Sequence, residues 1–207
     1  MRLGKRRRGA AAAPLKFPAP LPLPPAEGVP CGSSTRSAAN EPTMQTALIP
    51  ENDAARLRAL HELLILDTPP EERFDRMVFF AREELEVPIA LISLVDSDRQ
   101  WFKAKAGLAA CQTARDISFC GHAIHSAEPL LVEDALLDPR FADNPLVIGD
   151  PFVRFYAGAP LRMSSGLSVG TFCLIDTRPR RLDALELAIL RTLRDLAVME
   201  IESGNRL

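Results

Sequence analysis

Ile89-Ala90-Leu91-Ile92-Ser93-Leu94-Val95 is an almost unbroken apolar run, closed by Asp96-Ser97-Asp98-Arg99. Both of its alternating faces are apolar, which suits a central strand covered on two sides. The polar turn feeds Gln100–Ala106, where Trp101, Lys103 and Lys105 alternate with Phe102, Ala104 and Ala106. That period of two predicts a second strand folded back on the first. A hairpin with a doubly covered strand requires layers on both faces of a sheet.

Upstream, Leu57, Leu60 and Leu64 make a helical stripe extending to about Leu66. Thr68-Pro69-Pro70-Glu71 reads as a capping box with proline at the first helical position. It opens a second helix through Phe74, Met77, Val78, Ala81 and Leu85, ended by Pro88. Downstream, a loop with Cys111 leads to Ser118, the expected N-cap of a short helix over Phe119–Ser126. Leu130-Leu131-Val132 is a short strand, and Asp134 to Arg154 is a long loop with a helical piece. Phe155–Met163 and Leu167–Ile175 are strands joined at Ser164-Ser165-Gly166. Asp183 with Glu186 caps a last helix that Gly204 ends. The order predicts an α+β fold, an antiparallel sheet with the terminal helices gathered on one face.

Residues 1–50 differ in kind. They hold nine of the 18 prolines and a net charge of +5, against -7 for residues 51–207. A segment without an apolar period cannot offset its ordering entropy, so residues 1–50 are expected to be a disordered basic tail. Met44 is also a candidate start, which would leave residues 1–43 untranslated. The acidic folded part, residues 51–203, should repel nucleic acid. No apolar run reaches the roughly 18 residues that span a bilayer. Lys5-Arg6-Arg7-Arg8 can open a signal peptide, but the prolines from Pro14 to Pro25 break the apolar segment that should follow. The four cysteines form no C-x-x-C pair, so they read as reduced thiols of a cytoplasmic protein.

Several stretches together resemble one family. They are Ile65-Leu66-Asp67-Thr68-Pro69-Pro70-Glu71, Ser93-Leu94-Val95-Asp96, Gln100-Trp101-Phe102-Lys103 and Ser118-Phe119-Cys120-Gly121-His122-Ala123-Ile124. Asp138-Pro139-Arg140-Phe141-Ala142-Asp143-Asn144-Pro145, Arg154-Phe155-Tyr156-Ala157-Gly158-Ala159-Pro160-Leu161 and Gly170-Thr171-Phe172-Cys173-Leu174-Ile175-Asp176 follow in order. This pattern, over about residues 51–202, is similar to bacterial GAF domains, the kind found ahead of histidine kinase and diguanylate cyclase modules. The resemblance implies a central antiparallel sheet of about six strands flanked by helices. It also implies a ligand between the sheet and the crossing loops, and a homodimer made by the terminal helices.

The chemistry the residues offer is limited. Cys120 and His122 stand two apart on a helix, so their side chains diverge by about 200° and do not face each other. Cys120 then reads as a small packed hydrophobe and His122 as a local hydrogen-bond donor, with direct chemistry the alternative. His122 and His125 share a face but lack a third ligand, so no metal is expected. Cys111 and Cys120 look like two of the three cysteines of free methionine-sulfoxide reductase. Ala135–Arg154, where the third belongs, has none. Bilin attachment and cyclic-nucleotide binding also lack their signatures. What remains is a mixed pocket: Trp101, Phe119, Phe141 and Phe155 as apolar walls, with Cys120, His122, Arg140, Asn144, Arg154 and Tyr156 as polar groups. Core packing is the competing role for Phe119 and Phe155, and a partnership with Asp138 for Arg140.

These readings converge on a regulatory sensor without a catalytic site, binding an unidentified small molecule and acting in trans on a histidine kinase or diguanylate cyclase. A thiol-based redox enzyme or sensor using Cys111 and Cys120 is the alternative, and a structural dimerisation module a third. The last helix carries two apolar stripes: Leu182, Leu185, Ile189, Leu196 and Met199, beside Leu190, Leu193 and Ala197. One can cover the sheet and leave the other for a partner helix.

Overall fold

The computed structural model describes residues 44–204. Six strands form one sheet: β1 (Ile89–Val95), β2 (Arg99–Ala106), β3 (Gln112–Ala114), β4 (Leu130–Val132), β5 (Phe155–Arg162) and β6 (Ser168–Asp176). Their order is β3-β2-β1-β6-β5-β4, and every neighbouring pair is antiparallel. β1 lies at the centre and all seven of its residues are buried, as its two-faced apolar pattern requires.

The helices divide between the two faces. α1 (Asp53–Glu62), α2 (Glu72–Glu84) and α5 (Ala184–Gly204) pack Leu60, Phe74, Val78, Leu190, Leu193 and Ala197 on Ala90, Ile92, Leu94, Phe155 and Phe172. On the other face α3 (Phe119–Ala123) and α4 (Pro145–Ile148) close over Leu91, Phe102, Tyr156 and Cys173. The α+β layout is as expected, with the terminal helices together.

Three local expectations are corrected. α1 stops at Glu62 rather than near Leu66, because Leu64 turns to a left-handed φ of 49° and stands in solvent. Thr68 does not cap α2. Its hydroxyl donates to the Ile65 carbonyl at 2.7 Å and accepts from Lys103, and the helix begins at Glu72 with Glu71 in the N-cap place. That helix ends ahead of Pro88 as expected, through a left-handed C-terminal cap: Glu86 adopts φ 48° and the Val87 amide reaches back to the Arg82 carbonyl. The loop holding Cys111 also contains an unforeseen edge strand, β3, whose three residues pair with Arg99–Trp101.

The largest departure lies inside β2. Ile92 pairs with Ala104 but Ser93 pairs with Phe102, so Lys103 is an extra residue, a β-bulge. The bulge breaks the period of two. Trp101, Ala104 and Ala106 all enter the helix-side core, Phe102 faces the opposite side, and Lys103 turns inward over the Phe74 ring. At the other end, α5 begins with the reciprocal cap read from the sequence: the Glu186 amide donates to Asp183 Oδ1, and the Asp183 amide to Glu186 Oε2, both at 2.8 Å.

Candidate functional site

Ser118 positions the site. It is extended, and its hydroxyl accepts from the Gly121 amide at 2.9 Å, which starts α3 over the middle of the sheet. The first turn of the helix drives Phe119 and Cys120 into the interior. Phe119 stacks on Phe141 with ring centroids 4.1 Å apart and tilts against Tyr156 at 5.1 Å. The Tyr156 ring lies along β5 because Gly158 has no side chain; a Cβ there would collide with the phenol oxygen.

Under α3 the sheet presents a strip of polar side chains. Thr113 Oγ1 accepts from Gln100 Nε2 at 2.6 Å, and Ser93 Oγ donates to Gln100 Oε1 at 3.3 Å. Thr171, cross-strand from Ser93, is fully buried and its hydroxyl has no hydrogen-bond partner. Next to it, Tyr156 OH donates to Cys120 Sγ at 3.4 Å, and Cys173 Sγ lies 4.0 Å from the same sulfur. Burial alone would raise the Cys120 thiol, but the polar side chains around it, those of Cys173, Thr171, Tyr156 and Ser93, hold it below the ordinary thiol range. The same neighbour pushes Cys173 up, and burial adds to that.

A cavity of about 130 Å³ opens between this strip and the loops. Leu91, Phe102, Phe119, Leu146, Val153 and Tyr156 give it apolar walls, with Gln100, Thr113 and Asp150 as polar groups and Cys120 in its lining. It is small and mostly apolar, with few groups that fix orientation.

Of the ten side chains expected at a pocket, Phe119, Cys120 and Tyr156 line this one. Phe141 is buried behind Phe119. His122 sets its ring edge on Phe141 at 4.8 Å, with Nε2 3.0 Å from the Gln45 carbonyl, and burial lowers its pKa. Arg140 is held by Asp138 at 2.9 and 2.6 Å and lies over Phe141, so its partner is the one foreseen as the alternative. Asn144 caps α4 through the Leu146 amide and donates to the Ile117 carbonyl. Arg154 grips Asp134 with two hydrogen bonds, at 2.7 and 2.6 Å. Trp101 and Phe155 are on the helix side of the sheet and do not join the others. The thiol-based alternative rested on Cys111 and Cys120; Cys111 is exposed beside Lys105 Nζ at 3.3 Å, and Cys173 is the sulfur next to Cys120. Sequence reasoning missed Leu91, Gln100, Phe102 and Thr113. Their alternation along β1–β3 carried the signal, but the bulge at Lys103 breaks that alternation within β2 and hides it.

The fold and cavity together define a class: an α+β module with a small compartment between an antiparallel sheet and a roofing helix. Residues 69–201 match the GAF domain model, and the chain belongs to that family. The chain is 45% identical over 137 residues to a cyclic di-GMP phosphodiesterase of Pseudomonas aeruginosa. That match covers 66% of this chain and 23% of the relative, so the chain spans under a quarter of that protein. Among solved structures it is similar to the GAF domain of an Acinetobacter phosphoenolpyruvate-protein phosphotransferase, with TM-score 0.56 and 19% identity over 76% of this chain and 97% of that one. Free methionine-R-sulfoxide reductase from Neisseria meningitidis is similar too, with TM-score 0.53 and 18% identity over 79% and 98%. At such identities the likeness is one of fold. Among the described residues no helix is long and apolar enough to cross a membrane.

Proposed function

We propose that this GAF domain senses a small, largely apolar molecule held between the sheet and α3, and passes its presence to a signalling output. The observation that carries this reading is the cavity itself, with Phe119, Cys120 and Tyr156 brought to it from α3 and β5. A ligand there would press on α3 and β1 together, and β1 also forms the floor under α2. Its effect then reaches the terminal helices through packed side chains. The domain contributes binding and not turnover. The likeness to a cyclic di-GMP phosphodiesterase favours an output in cyclic di-GMP signalling, a diguanylate cyclase or its counterpart, with a histidine kinase as the other candidate.

Native mass spectrometry of the purified protein tests the reading, with Ala110→Trp as the control. Ala110 is an exposed residue at the cavity rim, so the indole should block entry without disturbing the core. A small molecule that accompanies the wild type and is lost in the variant is the expected result. A wild type that arrives empty and admits no xenon under pressure would sink the proposal.

A further inference from the structure

We infer that Cys120 and Cys173 are a reversible redox pair, closed to a disulfide by a small hydroperoxide that enters the cavity beside α3. The inference deepens the sensor reading, because the oxidant's route to the sulfur is the same cavity. Four observations carry it. The two sulfurs are 4.0 Å apart, on α3 and β6, with no side chain between them. A disulfide needs about 2 Å, so closing it requires the two sulfurs to approach by about a further 2 Å. Cys120 is in the cavity lining, where a molecule the size of a peroxide fits. Tyr156 already donates to Cys120 Sγ, and Thr171 has a buried hydroxyl with no partner. An unpaired buried donor costs stability, and a thiolate at Cys120 is the acceptor that would satisfy it. The lowered thiol of Cys120 agrees with that arrangement.

The chemistry balances in two steps. The Cys120 thiolate attacks one peroxide oxygen; an S–O bond forms, the O–O bond breaks, and the alkoxide leaves with the proton that Cys120 released. The Cys173 sulfur then attacks the sulfenic acid. The S–S bond forms, the S–O bond breaks, and the hydroxyl leaves as water with the Cys173 proton. Two thiols lose two electrons and one hydroperoxide becomes an alcohol and water. A dithiol reductant reverses the change. Cys111, exposed just ahead of β3 at the sheet edge, takes no part.

The test uses the whole chain, reduced, exposed to hydrogen peroxide, alkylated and mapped by peptide mass spectrometry, with circular dichroism showing that it stays folded. The Cys120 and Cys173 peptides should appear linked, with each pair of linked residues lighter by two hydrogens, and Cys111→Ser should change nothing. Cys173→Ser should stop at a sulfenic acid on Cys120 that dimedone traps. Thr171→Val removes an unpaired polar atom and should not weaken the fold, yet it should slow oxidation several-fold. Linkage of Cys120 to Cys111 or Cys31, or oxidation of Cys111 with Cys120 and Cys173 still free, overturns the inference. If no linkage forms while a ligand or xenon still occupies the cavity, the redox pair alone is wrong. If xenon is also excluded, the sensing reading falls with it.

Discussion

Lys103 Nζ meets Glu71 Oε1 at 2.5 Å, and the lysine side chain is 0% exposed. The same ammonium donates to Thr68 Oγ1 at 2.7 Å and to the Pro69 carbonyl at 2.9 Å. The β2 bulge thus turns a lysine inward to pin the Ile65–Glu71 loop to the sheet. A buried charge is tolerated only when it is paired and hydrogen-bonded, and this one is both.

Glu71→Gln should therefore destabilise the domain by about 1 kcal/mol at neutral pH, a modest figure because the carboxylate itself remains partly in water. The hydrogen bond from Lys103 holds Glu71 below the usual carboxylate range. Its contribution is thus present above the unfolded pKa, about 4.3, and is lost as pH falls through the lower folded value. Urea melts at pH 7 and at pH 3 should show the wild type and variant converging at the acid end. A gap that persists there would mean that the glutamate acts by shape and not by charge.

Asp53 is expected to be the costlier carboxylate. Arg56 Nε reaches it at 2.6 Å and Arg115 at 2.9 and 3.0 Å, while Arg56 Nη1 donates to the Val95 carbonyl. All three side chains are buried, and Arg56 Nη2 has no partner. Asp53→Ala leaves two guanidinium groups without their acceptor, so a loss of about 3 kcal/mol follows, roughly 6–12 °C in Tm. Differential scanning calorimetry decides it. A shift under a degree or two would show that solvent replaces the aspartate.

On α5 the two leucine stripes are sorted by the sheet. Leu190, Leu193, Ala197 and Ile201 are buried, whereas Leu185, Leu196 and Met199 are 69%, 42% and 65% exposed. We expect that second stripe to make a homodimer, since leucines left in water forgo their burial energy. Leu196→Glu with Met199→Glu should give a folded monomer by light scattering. Leu193→Glu should unfold the domain outright. A wild type that is monomeric at about ten times the micromolar concentrations typical of a transient dimer sinks the claim.

The segment before α1 makes the fourth prediction. Residues 44–50 form no helix or strand, yet His122 and His125 hold the Gln45 and Leu48 carbonyls at 3.0 and 2.7 Å, and Ala47 lies against Gly121. The expected tail of residues 1–50 thus includes a part in contact with the folded domain; residues 1–43 lie outside the described residues. A chain starting at Met44 should keep the full-length melting temperature. One starting at Glu51 loses the two hydrogen bonds to His122 and His125, about 1–2 kcal/mol or roughly 2–8 °C. Equal melting of all three chains would show that the contact contributes nothing.

Much of this was legible in the residues because it is local. The apolar run Ile89–Val95 marked the central strand, Ser118 marked the start of α3, and Asp183 with Glu186 marked the start of α5. Each depends on side chains within a few positions, so a linear reading suffices. Arg140 with Asp138 was foreseeable for the same reason.

What the tertiary structure alone decided depends on partners distant in the chain. Thr68 has the right neighbours for a cap, but Lys103, 35 residues away, takes its hydroxyl. Trp101 reads as a pocket wall until its pairing with Leu94 places it on the helix side of the sheet. Cys120 lies against Cys173, 53 residues on, rather than against nearby Cys111, because α3 lies across β6 while Cys111 leads into β3 at the edge of the sheet. Periodicity fixes which residues share a face of one element. Register, bulges and strand order fix which faces meet, and these are set by packing across the whole sheet.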